Sequence, residues 1–264
     1  MRKKTLTADY WDKKIEISVP EDTVLGEIEN PPLLSNPEKV VREVIANPIA
    51  SEPLYELAKK AQNGRVTIAF DDPSRPAKPR QLIIPIIIEE LLKAGVKEEN
   101  IFLLSANGNH CKWTPAQLRN YLGPKIFDQF SPLGSASRVL NHDTHDPEGL
   151  VYMGTSEMGD YVEYNRLLVD SDLFIYLGTV LSSNWGGMTG TGIVIGLASA
   201  RSMASTHGFP VFGHPDSCHG NHRTMLYRAH KQAIMKQIEK FTGKRVFYID
   251  AVLGAGGELA CEII

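Results

Sequence analysis

RVTIAFDDPSRP, the sequence from Arg65 to Pro76, joins a short apolar run to a polar segment that contains two prolines. The run from Val66 to Phe70 is rich in β-branched and aromatic residues, which is typical of a buried strand. The polar segment from Asp71 to Pro76 predicts a loop, and the pattern from about Pro79 to Gly95 predicts a long helix. These residues therefore indicate a strand–loop–helix unit, the building block of an α/β fold.

Similar units follow along the chain. Further strands are predicted at Ile101–Ala106, Arg138–Leu140, Leu173–Leu177 and Arg245–Asp250. Further helices are predicted after Thr114, which has Gln117 at the capping-box position, from Ile193 to Met203, and from about His222 to Phe241. This alternation predicts an α/β fold with a mostly parallel sheet flanked by helices, in which ligands bind at the carboxyl ends of the strands.

The N-terminal part has a different pattern. Charged and apolar residues alternate between Leu6 and Pro20, which predicts a β-hairpin at a sheet edge. Two helices are expected next, one opening at Asn36 and one at Ser51, each with a capping residue at its start.

Composition excludes several classes of function. The 264 residues include 28 Lys and Arg against 31 Asp and Glu, a net charge of -3, so we expect no nucleic-acid partner. The residues from Thr5 to Asp12 lack the apolar stretch of a signal peptide, which predicts a cytoplasmic protein. The longest apolar run, Leu82–Ile88, is too short for a membrane span and predicts a core helix. Three widely spaced cysteines imply no disulfide framework.

The loop after the first strand carries a carboxylate, Asp72, and a guanidinium, Arg75. Arg75 could bind a carboxylate or a phosphate through its planar fork, and Asp72 could orient it or a nearby imidazole. The alternative is a helix cap followed by a surface arginine, because Asp or Ser before Pro is common at helix starts. From these residues alone, both interpretations stay open.

Histidines follow two of the other predicted strands. His110 comes after Asn107-Gly108-Asn109 and is a candidate acid–base group, since adjacent parallel strands would place it beside the Asp72 loop. It could equally be an ordinary loop residue. His142 and Asp143 end the third strand and could add to the same rim, although Asn-His-Asp is also a common turn composition.

A glycine-rich segment, from Gly186 to Gly192, precedes the helical stretch that begins at Ile193. Its backbone N–H groups and the helix N-terminus could hold a phosphate, or the glycines could serve only as a tight connection. The segment matches neither the Walker motif nor GxGxxG, so ATP or NAD use is not supported.

A second group of candidates consists of metal-ligating residue types. His214, Cys218, His219 and His222 fall within nine positions and would suit zinc, nickel or copper, but their spacing matches no standard site. His207 lies just upstream at a helix end, where an imidazole can also act as a cap.

Taken together, these motifs resemble, in order and spacing, the N-terminal domain of the nickel-pincer-nucleotide lactate racemase family. They are Asp72-x-Ser74-Arg75-Pro76, Ala106-x-Gly108-x-His110, Asn141-His142-Asp143, the loop from Gly186 to Gly192, and Thr206-His207-Gly208. The resemblance implies an isomerase that racemises or epimerises a small-molecule 2-hydroxy acid by hydride transfer to a nickel-pincer nucleotide.

The resemblance also implies roles for individual residues. His110 corresponds to a proton-transferring histidine, Arg75 to an arginine that binds the substrate carboxylate, Asp72 to the acidic residue of the same motif, and His207 to the nickel ligand. The residues expected to bind the cofactor are Gly187, Thr189, Gly190, Thr191 and Gly192.

The sequence departs from the family pattern at two places. Ser182-Ser183-Asn184 stands where the family has a Pro-His pair, and Ile193 stands where a lysine links covalently to the cofactor. We therefore expect a cofactor that is not covalently tethered, and a 2-hydroxy acid or sugar acid other than lactate.

The resemblance further implies a domain organisation and partners. Residues 1–264 would form the family's N-terminal α/β domain, with its C-terminal domain absent or truncated. A homo-oligomer or a separate C-terminal domain are the protein partners left open. The alternative functions are a non-catalytic module that binds a cofactor or a carboxylate, and a divalent-metal-binding protein that uses the cluster from His214 to His222.

Overall fold

The computed structural model describes residues 2–10, 13–24, 26, 31–181, 192–218, 220–221, 226–254 and 257–263, with the backbone alone at residues 9, 10 and 261–263. The chain divides into two compact units, Met1–Asn30 and Pro31–Ile264. Among the described helices, none combines the length and apolarity that a membrane crossing requires.

The first unit is a hairpin of two antiparallel strands, β1 (Lys3–Tyr10) and β2 (Lys13–Pro20). Leu6 lies opposite Ile17 and Ala8 opposite Ile15, so apolar side chains share one face. The predicted hairpin is confirmed. The prediction that it forms the edge of a larger sheet is wrong, because its strands pair only with each other among the described strands.

The second unit contains the remaining elements. Its strands are β3 (Val66–Asp71), β4 (Ile101–Ala106), β5 (Val139–Asn141), β6 (Leu150–Thr155), β7 (Tyr161–Asn165), β8 (Leu173–Thr179), β9 (Phe247–Leu253) and β10 (Leu259–Ile263). Its helices are α1 (Pro37–Ala46), α2 (Leu54–Lys60), α3 (Lys78–Lys93), α4 (Pro115–Leu122), α5 (Pro124–Phe130), α6 (Leu167–Asp170), α7 (Ile193–Gly196), α8 (Ala200–Thr206), α9 (Phe209–Phe212) and α10 (Leu226–Thr242).

Six strands form the central sheet in the order β10-β9-β8-β3-β4-β5. β3, β4, β5, β8 and β9 are parallel, and β10 pairs antiparallel with β9. The chain first adds strands on one side of β3 and then, from β8 onwards, on the other side. This reversal creates a crevice between the carboxyl ends of β3 and β8, which is where doubly wound sheets bind ligands.

A helical layer covers each face of the sheet. Helices α1 to α5 pack on one face, where the apolar stripe of α3, including Ile83, Ile87 and Leu91, lies fully buried. The other face packs against α7 and α10 and the β6–β7 hairpin. The strands are apolar on both faces because both are covered, as expected for a parallel sheet. The predicted α/β fold is confirmed.

The structure differs from the sequence predictions at three places. The β6–β7 hairpin was not predicted, because β6 lacks a clean alternation of apolar and polar residues. The helical stretch expected from Ile193 to Met203 is two short helices, since Ala198 forms a β-bridge with Tyr164 between them. The helix expected to be capped near Ser51 begins after Pro53 and has no side-chain cap.

Candidate active site

A cavity of about 330 Å³ opens at the carboxyl ends of β3, β4, β8 and β9. Helices α7, α8 and α10 contribute further walls. Its polar lining residues are Asp71, Asp72, Arg75, Asn107, Asn109, His110, Tyr176, Thr179, His207, Tyr227, Lys231 and Asp250. The structure therefore brings the candidates from the first two strand-end loops and His207 to one site.

The pair of His110 and Asp72 spans the ends of β4 and β3. His110 Nδ1 lies 2.8 Å from Asp72 Oδ2, and the Ser74 backbone N–H donates to Asp72 Oδ1 at 2.7 Å. Since a carboxylate only accepts hydrogen bonds, Nδ1 carries the proton and Nε2 keeps its lone pair. Asp72 is buried whereas the His110 side chain is 69% exposed, so a fixed carboxylate orients an accessible imidazole. This is the arrangement of an acid–base group.

Arg75 lies in the same loop and lines the cavity. Its backbone N–H donates to the Asp72 carbonyl at 2.9 Å, which closes a turn. The exposed Arg75 side chain forms no ion pair with a carboxylate in the described part of the chain. The guanidinium is thus available for an anionic ligand. The alternative of a plain helix cap does not hold, because α3 begins only at Lys78.

A buried ion pair supports the base of the cavity. The fully buried Arg80 of α3 donates to the Asp71 carboxylate of β3 and, at 2.5 Å, to Thr179 Oγ1 at the end of β8. Burial raises the pKa of Asp71, while the nearby Arg80 opposes that shift. Arg80 therefore joins the two strands that flank the crevice.

Asp250 and Lys231 form the wall contributed by β9 and α10. Burial, reinforced by the negative charge of Asp71, raises the pKa of Asp250 to about 6. Burial also lowers the pKa of Lys231 to about 8, although Asp250 partly opposes this shift. Lys231 Nζ lies 5.4 Å from the centre of the Tyr227 ring. Both groups titrate nearer to neutral pH than they would in water.

The raised pKa of Asp250 predicts a pH-dependent stability. Because the folded-state pKa exceeds the unfolded value, the protonated carboxyl favours folding below the unfolded pKa, and this contribution disappears as the pH rises through about 6. At about 1.4 kcal/mol per pKa unit, the loss amounts to about 2–3 kcal/mol. Asp250→Asn should remove this dependence. Urea unfolding of the unchanged protein and of Asp250→Asn, at about pH 4.5 and about pH 7.5, measures this difference in stability. Identical pH dependence in the two proteins would contradict the prediction.

His207 is the C-cap residue of α8 and lines the cavity. The Thr206 hydroxyl donates to the Met203 carbonyl at 3.2 Å and lies 3.1 Å from His207 Nδ1. Because the Thr206 hydroxyl hydrogen is already donated, Thr206 Oγ1 accepts a hydrogen bond from His207 Nδ1–H. The lone pair of the ring is therefore on Nε2. Burial and the charge of Lys231 lower the pKa of His207 to about 4. At neutral pH the imidazole is uncharged, the form that binds metals.

Glycines allow close contact between loops around the cavity. Gly108 has φ of 53°, and its N–H donates to the Gly196 carbonyl at 2.9 Å. A Cβ on Gly196 would lie 2.6 Å from the Ala106 carbonyl oxygen, and one on Gly192 would collide with the Tyr176 hydroxyl. Larger residues would push these walls apart. Of the predicted cofactor-binding residues, Gly192 lines the cavity, whereas Gly187, Thr189, Gly190 and Thr191 lie outside the described residues.

His142 does not join this rim, contrary to the expectation from its position after the third strand. It is fully buried, with Nε2–H donating to the Ala198 carbonyl at 2.9 Å and Nδ1 accepting from Asn165 Nδ2 at 3.0 Å. Burial lowers its pKa. Both nitrogens are satisfied within the core, so His142 connects β5, β7 and the α7–α8 junction. Its neighbour Asp143 pairs with Lys112 at 2.6 Å.

The predicted metal cluster is only partly described. His214 Nδ1 accepts a hydrogen bond from the Asp216 backbone N–H at 3.2 Å, and Cys218 is a free, exposed thiol. His219 and His222 lie outside the described residues, as do Ser182, Ser183 and Asn184. Within the described residues, no three His, Cys, Asp or Glu side chains are grouped as metal ligands.

Sequence reasoning missed three charged residues: Lys231 and Asp250, which line the cavity, and Arg80, which pairs with the lining residue Asp71. A signal exists for the two on helices. Lys231 follows Tyr227 by four residues and precedes Ile234 by three, so it falls on the buried stripe of α10. Arg80 likewise shares the buried face of α3 with Ile83, Ile84 and Ile87. A charged residue on an apolar stripe indicates a buried partner.

The fold and the cavity define a class of protein: a doubly wound α/β protein with an oriented histidine and an accessible arginine at its topological switch point. Within that class, the chain belongs to the lactate racemase N-terminal domain family, whose model matches residues 10–226. The predicted family is thereby confirmed.

A curated relative and a solved structure both carry the name lactate racemase. Lactate racemase from Thermoanaerobacterium thermosaccharolyticum is 24% identical over 234 residues, which cover 84% of this chain and 52% of that protein. The solved structure of the lactate racemase apoprotein from the same organism has 22% identity and a TM-score of 0.75, covering 97% of this chain and 57% of that chain. The chain thus spans about half the length of the curated relative that it matches.

Proposed function

We propose that this protein is an isomerase that racemises or epimerises a small-molecule 2-hydroxy acid by hydride transfer with a nickel-pincer nucleotide. The observation that carries the proposal is the 2.8 Å pair of His110 and Asp72, in one cavity with Arg75 and His207. Membership of the lactate racemase N-terminal domain family supports it. We also propose that the chain acts as the N-terminal α/β domain, completed by a C-terminal domain or by another subunit.

The residues of this chain would bind the substrate and move one proton. Arg75 would bind the substrate carboxylate through two parallel N–H bonds, which fixes the orientation of the adjacent carbon. His110 would accept the hydroxyl proton at Nε2 while Asp72 stabilises the resulting imidazolium. The proton would return from the same nitrogen once the carbon has regained its hydrogen.

The described residues fit the proposed cofactor in two respects. His207 offers an uncharged imidazole in the cavity, and Gly192 and Gly196 shape walls that a Cβ would fill. When bound, the cofactor supplies the hydride acceptor. Ile193, at the position where the family has its linking lysine, is fully buried in the core. We therefore propose a cofactor that is held without a covalent link.

The function is tested by supplying the purified protein with the cofactor and a panel of single-enantiomer 2-hydroxy acids deuterated at C2. The expected result is conversion of at least one acid to its opposite configuration, with deuterium retained at C2. Retention distinguishes hydride transfer from proton abstraction, which would exchange the label with water. The absence of conversion across lactate, longer 2-hydroxy acids and sugar acids would overturn the catalytic proposal.

Nickel retention tests the role of His207. His207→Ala should lower the nickel content of protein produced with the cofactor-synthesis enzymes more than about tenfold, because the proposed protein ligand is lost. Elemental analysis with native mass spectrometry measures it. His214→Ala is the matched control, since His214 lies outside the cavity lining and should leave nickel unchanged. Nickel lost only in the His214 variant would favour the alternative metal site.

A further inference from the structure

Lys231 places an amine at the candidate active site for which the proposed mechanism has no use. It belongs to α10 and is the single lysine among the described residues that line the cavity. Of the lysines in the described part of the chain, it is also the only buried one, with a relative accessibility of 9%. The amine therefore lies at a ligand site rather than in bulk water.

The position of Lys231 is one that an apolar residue would fill at a lower cost in free energy. It shares the buried face of α10 with Tyr227, Ile234 and Ile238. Taking an ammonium group out of water is unfavourable unless opposite charge offsets the loss of hydration. A lysine at such a position indicates that its amine has a function.

Burial also makes the amine of Lys231 reactive. Its pKa is lowered to about 8 because the charged form loses hydration, and the positive charge of Arg228 adds to this shift. At neutral pH, about a tenth of the molecules then carry the free amine. A free lysine amine in such a site attacks carbonyl carbons, which is how lysines form Schiff bases.

Two neighbours of Lys231 suit this chemistry. Asp250 lines the same cavity, and the charges of Asp250 and Lys231 act on each other. Because burial raises the pKa of Asp250 to about 6, its carboxyl group can take up and release protons near neutral pH. The face of the Tyr227 ring, whose centre lies 5.4 Å from Lys231 Nζ, attracts a cation such as a protonated imine.

The rest of the cavity indicates which carbonyl compound would bind. Arg75 lines the same space, and its guanidinium is suited to a carboxylate. A volume of about 330 Å³ is at the lower end of the range for small-molecule sites, which favours a small acid. The choice of a 2-oxo acid rests on the proposed function, since a 2-hydroxy acid becomes a 2-oxo acid when its carbon loses a hydride and its hydroxyl group loses a proton.

We propose that Lys231 forms a Schiff base with a 2-oxo acid whose carboxylate is bound by Arg75. The nitrogen lone pair bonds to the ketone carbon, and the ketone oxygen leaves as water together with the two hydrogens of the amine. Asp250 carries protons between the nitrogen and the departing oxygen. The step is a condensation, so neither partner is oxidised or reduced, and water reverses it.

The Schiff base would make the 2-oxo acid a reversible inhibitor of the proposed reaction. The imine and the 2-hydroxy acid would both need Arg75, so only one of them can occupy the cavity. Hydrolysis of the imine would restore the free amine and the open site. The activity would thus respond to the amount of the oxidised form of the substrate.

The test is reductive trapping of the full chain with pyruvate, at neutral pH and without cofactor. Cyanoborohydride reduces an imine to a stable amine, so the protein should gain the mass of pyruvic acid less one oxygen atom. Peptide mapping by mass spectrometry should find at least about ten times more label on Lys231 than on Lys236, because an ordinary lysine is almost fully protonated at neutral pH. Lys236 is also on α10, but it is exposed, pairs with Glu157 at 3.0 Å and lies outside the cavity lining.

Three variants separate the amine from the carboxylate site. Lys231→Met keeps the length of the stem and should reduce the label to the level of exposed lysines, whereas Lys236→Met is the matched control and should leave the label on Lys231 unchanged. Arg75→Met should lower the labelling of Lys231 by pyruvate about tenfold or more, because the carboxylate loses its partner. Methyl pyruvate, which has no carboxylate, should label Lys231 equally in Arg75→Met and in the unchanged protein. Circular dichroism verifies that the variants fold.

Other results would overturn the proposal. Equal label on Lys231 and on exposed lysines of the unchanged protein would show ordinary surface chemistry, and this measurement needs no variant. Label on Lys231 that Arg75→Met leaves unchanged would show that the site does not recognise the carboxylate. If Lys231 stayed unlabelled while deuterated 2-hydroxy acids were converted, this inference would fail and the proposed function would stand. Label on Lys231 without conversion of any 2-hydroxy acid would instead overturn the proposed function and leave a site that binds carbonyl compounds.

Discussion

Replacing His110 by glutamine should lower turnover of the proposed substrate about 10²- to 10⁴-fold, the usual contribution of a positioned acid–base group. Glutamine keeps the approximate size and polarity of the side chain but cannot accept the hydroxyl proton at neutral pH. Arg75 stays in place in this variant. Turnover should therefore fall much more than the apparent affinity for the hydroxy acid. Steady-state rates in both directions, measured with cofactor-loaded protein, provide the comparison.

His145→Gln is the control for this experiment. His145 is exposed and does not line the cavity, so its replacement should leave turnover unchanged. Nickel content must be equal in all three proteins, which separates loss of proton transfer from loss of cofactor. If His110→Gln retained more than about a tenth of the turnover, His110 would not be the acid–base group.

The pairing of His110 with Asp72 shows which part of the site could be predicted from the sequence. Both residues follow predicted parallel strands, and adjacent parallel strands place their carboxyl ends together. β3 and β4 are indeed neighbours, with Asp71 in register with Ala106. The rule that adjacent parallel strands end side by side therefore predicted that these two side chains, which are 38 residues apart in sequence, lie together.

The same rule placed His142 at the rim, where it does not lie. The two hydrogen-bond partners of its imidazole ring, Ala198 and Asn165, are 56 and 23 residues further along the chain. Neither partner shows a local pattern that identifies it as a ligand of an imidazole. Whether a histidine at a strand end is catalytic or structural therefore depends on the segments that pack over it. At His142 these segments are β7, which was not predicted, and the α7–α8 junction.

Asp250, the buried charge on a strand, could not be predicted from the sequence, for a related physical reason. Asp250 lies inside β9, and its altered pKa depends on burial and on Asp71, which belongs to a strand far away in sequence. The switch point brings β3, β8 and β9 together only because the strand order reverses after β5. Strand order depends on packing between distant segments, so local periodicity cannot specify it.

The largest expected effect on stability belongs to Arg80→Met. Methionine can fill much of the space of the arginine stem, but it leaves the Asp71 carboxylate in a buried site without its cation. Removing one partner of a buried ion pair typically lowers the free energy of unfolding by about 3–5 kcal/mol. Thr179 would also lose the N–H bond that joins β8 to α3. Urea unfolding at about pH 7.5 should therefore show a loss in that range.

The pH dependence and a second substitution test the cause of that loss. Without Arg80, the pKa of Asp71 rises further, so the destabilisation should shrink as the pH falls and the carboxyl becomes neutral. Asp71→Leu added to Arg80→Met should recover most of the lost stability, because an apolar pair of similar volume replaces both charges. Arg42→Met, which removes a more exposed arginine paired with Glu38 and Glu89, should have a far smaller effect. If the double variant were no more stable than Arg80→Met alone, packing of the arginine stem, and not the uncompensated charge, would account for the loss.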